Sequence, residues 1–174
     1  MPEGVFEVFV LTPESELLRT GAKGVVLRSS DGDLTVLDGH TPIVTDVVPG
    51  DVRVDRAEGG PLHIAVHGGY LQVETGMGIE GSDVRSTRVT LLAGLAELAG
   101  EIDVARAERA RDAAQARVDE LRAQTGRAAG RPEGGAPPGG TGAEGPLSPQ
   151  DLELAEAEAA LRRAEVRLEV AGVT

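Results

Sequence analysis

The feature that most constrains this chain is a change of hydrophobic period near residue 100. Before that point, short apolar or alternating runs are separated by turn residues. After it, the sequence is rich in Ala, Arg and Glu and has no Gly or Pro between residues 102 and 124. A period of two is typical of strands, and an Ala-rich segment without Gly or Pro is typical of a helix. The sequence therefore predicts an α+β chain with a sheet domain over residues 1–97 and a helical domain over residues 98–174.

The first half reads as a series of short strands. Val52 and Val54 alternate with charged residues, which indicates a strand with one buried face. Gly68-Gly69 lies between two apolar runs and predicts a two-residue hairpin. Many short strands at this spacing predict an antiparallel β-sandwich or flattened barrel. The predicted strands are residues 5–11, 24–29, 34–37, 43–47, 51–56, 62–67, 70–74 and 88–93.

The second half predicts two helices that pack through small residues. The first, from residue 102 to about 124, carries an apolar stripe at spacings of three and four. In the second, which runs to about Val170, leucines recur every seven residues with alanines between them. We therefore expect an antiparallel helical hairpin. The first stripe is Ala107, Ala110, Ala114, Val118 and Leu121, and the second is Leu154, Ala157, Leu161, Ala164 and Leu168.

The segment between the two helices has a composition of its own. Residues 125–148 contain eight Gly and four Pro, so they predict a flexible loop inserted into the hairpin. Ser148 and Pro149 are a helix cap and first helical residue, and Asp151 occupies the capping-box position. The second helix is therefore expected to begin at this point.

Composition narrows the class of function. The net charge of −12 argues against general nucleic-acid binding, which requires a basic face. The chain has no cysteine for a disulfide or a thiolate metal site, and no apolar run approaches the ~20 residues of a membrane span. His63 and His67 share one predicted strand about 13 Å apart, so we expect surface histidines, a turn histidine at His40 and no metal site. These features are typical of a soluble cytosolic protein.

Few residues suggest chemistry. No nucleophile lies in a recognisable relation to a base, so we do not expect catalysis. Asp103 and Arg106 lie one turn apart at a predicted helix start, where they could hold a nucleotide through a phosphate and a ribose or amine group, with Glu97 nearby. The alternative is a capping Asp with a surface Arg. Likewise, Arg162, Arg163 and Arg167 form either a basic patch or ordinary intrahelical pairs, such as Arg162 with Glu158.

The order of motifs resembles the epsilon subunit of the bacterial F-type ATP synthase. Residues 31–43, Asp-Gly-Asp-Leu-Thr-Val-Leu-Asp-Gly-His-Thr-Pro-Ile, are similar to that family's Gly-Glu-Leu-Gly-Ile-Leu-Pro-Gly-His-Ala-Pro-Leu. Residues 65–73 resemble its Ser-Gly-Gly-x-Leu-x-Val, and residues 102–107 match the Ile-Asp-x-x-Arg-Ala segment that binds ATP in some members. Asp38 replaces the family's usual Pro. The resemblance covers nearly all of residues 4–174.

This resemblance implies a non-catalytic rotor subunit at the cytoplasmic face of the cell membrane. The β-sandwich would bind the gamma subunit and the membrane ring of c subunits. The helices would regulate ATP hydrolysis by extending toward the alpha and beta subunits. No cofactor is required, although a regulatory ATP could bind at Ile102, Asp103, Arg106 and Ala107 with Glu97. The implied partner contacts are Asp33 and His40 on the sandwich and Arg162, Arg163 and Arg167 on the helices.

Another class of function is compatible with the same two-part organisation. A free-standing β-sandwich binding module with a helical dimerisation tail would show the same strands and helices. It would form a stable homodimer and bind a small ligand, whereas a rotor subunit would copurify with its complex. An enzyme would require a site that the sequence does not reveal.

Overall fold

A computed structural model describes residues 4–77, 85–129 and 148–172 of the chain. In these residues nine strands are followed by two α-helices, so the predicted fold class is confirmed. The strands are β1 (Phe6–Leu11), β2 (Glu16–Ser29), β3 (Gly32–Val36), β4 (Ile43–Val47), β5 (Gly50–Arg56), β6 (Leu62–Val66), β7 (Gly69–Met77), β8 (Arg85–Ala93) and β9 (Ala96–Leu98). A short 3₁₀ helix (Ala99–Glu101) precedes α1 (Val104–Ala129) and α2 (Pro149–Ala171).

The nine strands form a β-sandwich in which β2 is the shared strand. The hydrogen-bonded order is β4-β7-β8-β1-β2-β5-β6-β9, with β3 also paired to β2. Residues 16–22 of β2 pair with β1, and residues 22–29 pair with β5 and β3, so the two parts of this long strand join two groups of strands. The pairing of β1 with β8 is parallel, and the other pairings are antiparallel.

The sandwich core is built from strands in which buried and partly exposed residues alternate. In β1, Phe6, Val8 and Val10 are buried while the residues between them are partly exposed. The same period of two recurs in β5, where Val52 and Val54 point inward as predicted. Because branched aliphatic side chains fill both inner faces, the core needs only one buried aromatic ring, that of Phe6, in the part of the chain described.

Several sequence predictions for the sheet need correction. Strand β2 begins eight residues before its predicted start, and β9 was not predicted. Gly68-Gly69 is not a hairpin turn, because β6 pairs with β5 and β9 whereas β7 pairs with β4 and β8. At Gly69 a Cβ atom would lie 2.2 Å from the carbonyl oxygen of Leu92, so close backbone approach requires this glycine.

The helix boundaries partly match the predictions. Helix α1 extends to Ala129, five residues beyond its predicted end, which shows that one glycine does not end it. The remaining predicted loop, residues 130–147, lies outside the described residues, as does most of the turn between β7 and β8. The predicted start of α2 is confirmed: the Asp151 amide donates to Ser148 Oγ over 3.2 Å, and the Ser148 amide donates to Asp151 Oδ2 over 3.1 Å.

The chain divides into two compact units, one of residues 1–104 with 166–174 and one of residues 105–165. In the second unit, the helices meet through Val118, Leu121 and Ala157, with Leu154 and Leu161 packed at the margin. Ala110, which was predicted to lie in this stripe, is exposed.

Charges on the two helices complement this small apolar seam. The guanidinium groups of Arg117 and Arg122 reach Glu153 and Glu158 over 2.8 and 2.7 Å. The pKa of Arg111 is raised, first by its hydrogen bond to Asp112 and more weakly by the charge of Glu165. Arg111, early in α1, lies near Glu165, late in α2, whereas Arg122, farther along α1, bonds the earlier residue Glu158, so the helices run in opposite directions, as predicted.

Candidate partner-binding and nucleotide sites

One end of the sandwich is closed by residues 37–42, here called the crossing loop. It joins β3, which pairs with β2, to β4, which pairs with β7. The His40 amide donates to the Leu37 carbonyl over 3.1 Å, and Nδ1 of the same histidine lies 2.7 Å from the Thr41 carbonyl oxygen. Gly39 has a φ of +77°, a conformation that few other residues adopt without strain. These features give the loop a defined shape around His40.

The crossing loop is also bonded to the sheet. Thr87 of β8 donates its hydroxyl to Asp38 Oδ1 over 2.9 Å and accepts the Gly39 amide over 2.8 Å. Thr75 of β7 donates to the His40 carbonyl over 2.6 Å. These two threonines were not predicted. Each occupies an inward-facing position of a strand whose other inward-facing residues are apolar, and this is the pattern by which the sequence could have revealed them.

Asp33, the second predicted contact on the sandwich, lies on the exposed side of β3. Its carboxylate is 3.6 Å from the Arg28 guanidinium on the neighbouring strand, and both side chains are largely exposed. Such a pair contributes little to stability. Asp33 is therefore accessible to a partner, as the prediction requires, and it does not share a hydrogen-bond network with His40 in the contacts described here.

An apolar surface covers the outside of strands β4, β7, β8 and β1. Val44, Tyr70 and Leu92 are 69%, 62% and 47% exposed. Tyr70 lies opposite Leu92, and Leu92 lies opposite Leu11, so these three side chains form a row, whereas Val44 lies opposite Gln72. We call this surface the outer apolar face; it consists of Phe9, Leu11, Val44, Tyr70 and Leu92. This surface was not predicted, because the sequence alone does not show which outward-facing residues of different strands become neighbours.

Charged groups border the outer apolar face at Phe9. The guanidinium groups of Arg19 and Arg88 lie 5.1 and 5.7 Å from its ring centroid, and both lie near the carboxylate of Glu7. Cation–π contacts and this shared carboxylate order the rim. The result is an apolar centre with a charged margin, which is the usual composition of a protein–protein interface.

The predicted nucleotide segment begins in a small apolar cluster of the first unit. Ile102 is buried with Ala65, Ala99, Val166 and Val170. Asp103 follows immediately and is exposed. The burial of Ile102 therefore fixes the start of the segment that carries Asp103.

Glu97 has a partner within the same unit. Its Oε1 accepts two hydrogen bonds from Arg167, one of them from Nε over 2.9 Å, and both side chains are about three-quarters buried. Arg167, which was predicted to contact a partner, therefore bonds Glu97, which was predicted to lie at the nucleotide site. A charge-assisted, two-point contact of this kind fixes both side chains.

The other predicted residues lie in the second unit. Arg106 and Ala107 belong to the first turn of α1, where Arg106 is exposed and Ala107 is buried. Arg162 and Arg163 lie on exposed positions of α2. Glu158, which was considered as a partner for Arg162, instead bonds Arg122 of α1.

The histidines differ from the sequence expectation. His63 Nδ1 lies 2.7 Å from Asp51 Oδ2, and both groups are largely buried, so His63 is not a surface residue. The ring nitrogens of His67 are also buried. In the three described stretches, no three His, Cys, Asp or Glu side chains gather where they could hold a metal ion. Neither described helix has the length and apolarity that crossing a membrane requires.

Comparison with known proteins identifies the family. Residues 5–77 match the model of the ATP synthase delta/epsilon chain beta-sandwich domain. The ATP synthase epsilon chain of Desulforudis audaxviator is 37% identical over 118 residues, which cover 68% of this chain and 77% of that protein. The chain belongs to the ATP synthase epsilon chain family. The Lactobacillus gasseri epsilon chain is 31% identical over 172 residues, covering 97% of this chain and 94% of its own length.

The fold of this epsilon-family chain is also found in a solved structure. A chain of the Euglena gracilis mitochondrial ATP synthase superposes with a TM-score of 0.64 at 18% identity, covering 98% of this chain and 82% of that chain. The resemblance drawn from the motifs of the sequence is thus confirmed, and so is its expectation of a sandwich followed by two helices.

Proposed function

We propose that this epsilon-family chain is a non-catalytic central-stalk subunit of a proton-translocating F-type ATP synthase, held at the cytoplasmic face of the cell membrane through the complex. The observation that carries the proposal is the outer apolar face. Val44, Tyr70 and Leu92 project from a sandwich whose own core is complete without them. An apolar surface that contributes nothing to the fold is typical of a binding site. We take the gamma subunit as the partner of this surface, because the resemblance to the epsilon subunit implies that contact.

The association with gamma can be tested by coexpression with the gamma subunit encoded in the same genome. The wild-type chain is expected to copurify with gamma, and Leu92→Asp should lower the yield of complex about tenfold, because it places a charge at the centre of the contact. Leu152→Asp is the matched control, since Leu152 is a similarly exposed leucine on α2. A wild-type homodimer that does not bind gamma would contradict the proposal and favour the free-standing module.

The sandwich would also contact the ring of c subunits through Asp33. Its side chain is exposed on β3 and is not part of the buried core. Asp33→Lys should reduce copurification of detergent-extracted c-ring with the assembled stalk. Glu14→Lys, which changes the same charge at another exposed position, is the control. Equal recovery of the ring with both variants would remove Asp33 from the proposed contact.

The helices are the regulatory part of the proposal. Arg162 and Arg163 are exposed on α2 and could meet acidic surfaces of the alpha and beta subunits. Reversing both charges with Arg162→Glu and Arg163→Glu should relieve inhibition of ATP hydrolysis in the reconstituted complex. Arg53→Glu on the sandwich serves as the control. Hydrolysis that is unchanged by the double reversal would count against regulation through these residues.

A regulatory ATP completes the proposal. Asp103 and Arg106 are exposed, and Ile102 fixes the start of their segment by its burial. Because Glu97 already bonds Arg167, any nucleotide at this segment would have to share or replace that contact. Calorimetry with ATP should show binding that is lost in Arg106→Ala and retained in Arg109→Ala, a change at another exposed arginine of α1. Absence of heat at millimolar ATP would refute nucleotide binding.

A further inference from the structure

Two threonines interrupt the apolar lining of the sandwich at one end. The inward positions of β7 are Leu71, Val73 and then Thr75, and those of β8 are Leu91, Val89 and then Thr87. Thr75 and Thr87 lie directly opposite each other. The sheet therefore presents a pair of hydroxyl groups where the apolar pattern would place two more aliphatic side chains.

The hydroxyl pair binds three consecutive residues of the crossing loop. Thr87 donates its hydroxyl proton to Asp38 Oδ1 and accepts a hydrogen bond from the Gly39 amide. Thr75 donates to the carbonyl of the next residue, His40. Thr87 is only 3% exposed, so water competes poorly for its hydroxyl. The bond to Asp38 is charge-assisted and therefore stronger than a bond between neutral groups.

Asp38 stands where the family usually has proline, and its contact with Thr87 gives this difference a structural role. A proline at this position would have no side-chain acceptor for the Thr87 hydroxyl. The carboxylate supplies that acceptor, and the following Gly39 supplies the positive φ that lets its amide face the same hydroxyl. Loop shape is thus determined by a specific pairing of Asp38 with Thr87.

Residues at both ends of the fixed loop are apolar and exposed. Leu37, at its start, is 56% exposed. Val44, two residues past its end, belongs to the outer apolar face, and Ile43 between them is also exposed. The loop therefore continues into the surface that the proposed function assigns to gamma. Ordering such a segment before binding removes the entropic penalty of ordering it on binding.

We infer that Thr75 and Thr87 are positioning residues for gamma binding, which hold the crossing loop in the conformation that gamma recognises. This inference rests on the proposed function. The threonines do not touch the partner; they act through Asp38, Gly39 and His40. We take gamma as the partner because the crossing loop leads, through Ile43, into Val44 of the outer apolar face.

The test measures the affinity of the full-length chain for the gamma subunit. Thr87→Val removes the hydroxyl at nearly constant shape and should weaken binding about tenfold, because both hydrogen bonds of that hydroxyl are lost. Thr87→Ser restores the hydroxyl and should restore the affinity. Hydrogen exchange at the Gly39 amide should be faster in Thr87→Val and return toward the wild-type rate in Thr87→Ser.

A double-mutant cycle separates positioning from general stability. If Thr87 acts by placing the loop beside Val44, the effects of Thr87→Val and Val44→Ala on gamma affinity should be non-additive. A purely structural threonine would give additive effects. Asp38→Ala changes an exposed side chain, so it should leave the fold intact and still weaken binding about threefold through the loss of one bond.

The outcomes distinguish this inference from the proposed function. A wild-type chain that does not bind gamma would overturn both. A wild-type chain that binds gamma, with Thr87→Val and Asp38→Ala binding equally well while Gly39 exchanges faster, would overturn only the positioning role. Additive effects in the cycle would overturn it as well. Reduced affinity in both variants, rescue by Thr87→Ser and non-additivity would support it.

Discussion

The sandwich and the pair of helices are held together by very different amounts of buried apolar surface. The sandwich encloses eighteen buried apolar residues from all nine strands, most of them branched. The helical unit has a cluster of three, one of which is alanine. Since burial stabilises roughly in proportion to apolar area, the helices contact each other weakly and the sandwich is rigid. The sandwich should therefore resist unfolding more strongly than the seam between the helices.

The largest expected effect is a deletion in the sandwich core. Ile64 is fully buried, and Ile64→Ala should lower the free energy of unfolding by about 2–5 kcal/mol through lost contacts and a cavity. Urea denaturation followed by the single tyrosine's fluorescence measures it. Ile43→Ala, at an exposed isoleucine, is the matched control and should change stability much less. Equal effects would break the description of a well-packed core.

A smaller effect is expected in the helical seam. Val118→Ala removes two buried methyl groups and should cost about 1.5 kcal/mol. The loss should appear in helical circular dichroism at a denaturant concentration at which the sandwich is still folded. Val104→Ala, at an exposed valine of the same helix, provides the comparison. If both signals shifted together, the two units would unfold as one.

The cap of α2 gives a smaller effect still. Ser148→Ala removes the hydroxyl that accepts the Asp151 amide, at an expected cost of about 1 kcal/mol. Helical content should fall while the amide exchange of the sandwich strands stays unchanged. Ser148→Thr keeps a capping hydroxyl and should behave like the wild type. Loss of strand protection in Ser148→Ala would show that the helix cap supports the sandwich too.

Acid should act on the same cap. Hydrogen bonds from Ser148 lower the pKa of Asp151 below its usual value of 3.8. A lowered folded-state pKa contributes stability that is present above the unfolded value and is lost as pH falls through the folded one. Helicity of α2 should therefore decline below about pH 4, and Asp151→Asn should remove this part of the decline. An identical acid titration in the variant would exclude the contribution of Asp151.

Local patterns in the sequence predicted the elements whose signals are local. Strand β4 was predicted to its exact bounds, since proline and glycine flank its apolar run. The start of α2 was predicted because a capping box lies within four residues. By contrast, Gly68-Gly69 was read as a hairpin turn, although the same dipeptide serves a crossover between strands that do not pair. Turn chemistry does not reveal which strands it joins.

The candidate surfaces could not be predicted without knowing how strands that are distant in the sequence pair in the sheet. Tyr70 and Leu92 are 22 positions apart, and only the pairing of β7 with β8 makes them neighbours. Thr87 and Asp38 meet across 49 positions. The resemblance carried by residues 31–43 and 102–107 identified the family, but the threonines that bond the crossing loop became visible only in the fold. Periodicity indicates which side of a strand a residue occupies and leaves its neighbours unspecified.

The parallel pairing of β1 with β8 has a consequence for biosynthesis. Strand β1 lies between β2 and β8, and its partner residues on β8 run from Arg88 to Leu92. The amino-terminal strand can pair with β2 early, but its other edge stays open until some eighty further residues have been translated. Closure through such distant contacts is slow. For that interval the edge of β1 that will face β8 has no strand partner, and it can pair with other extended segments.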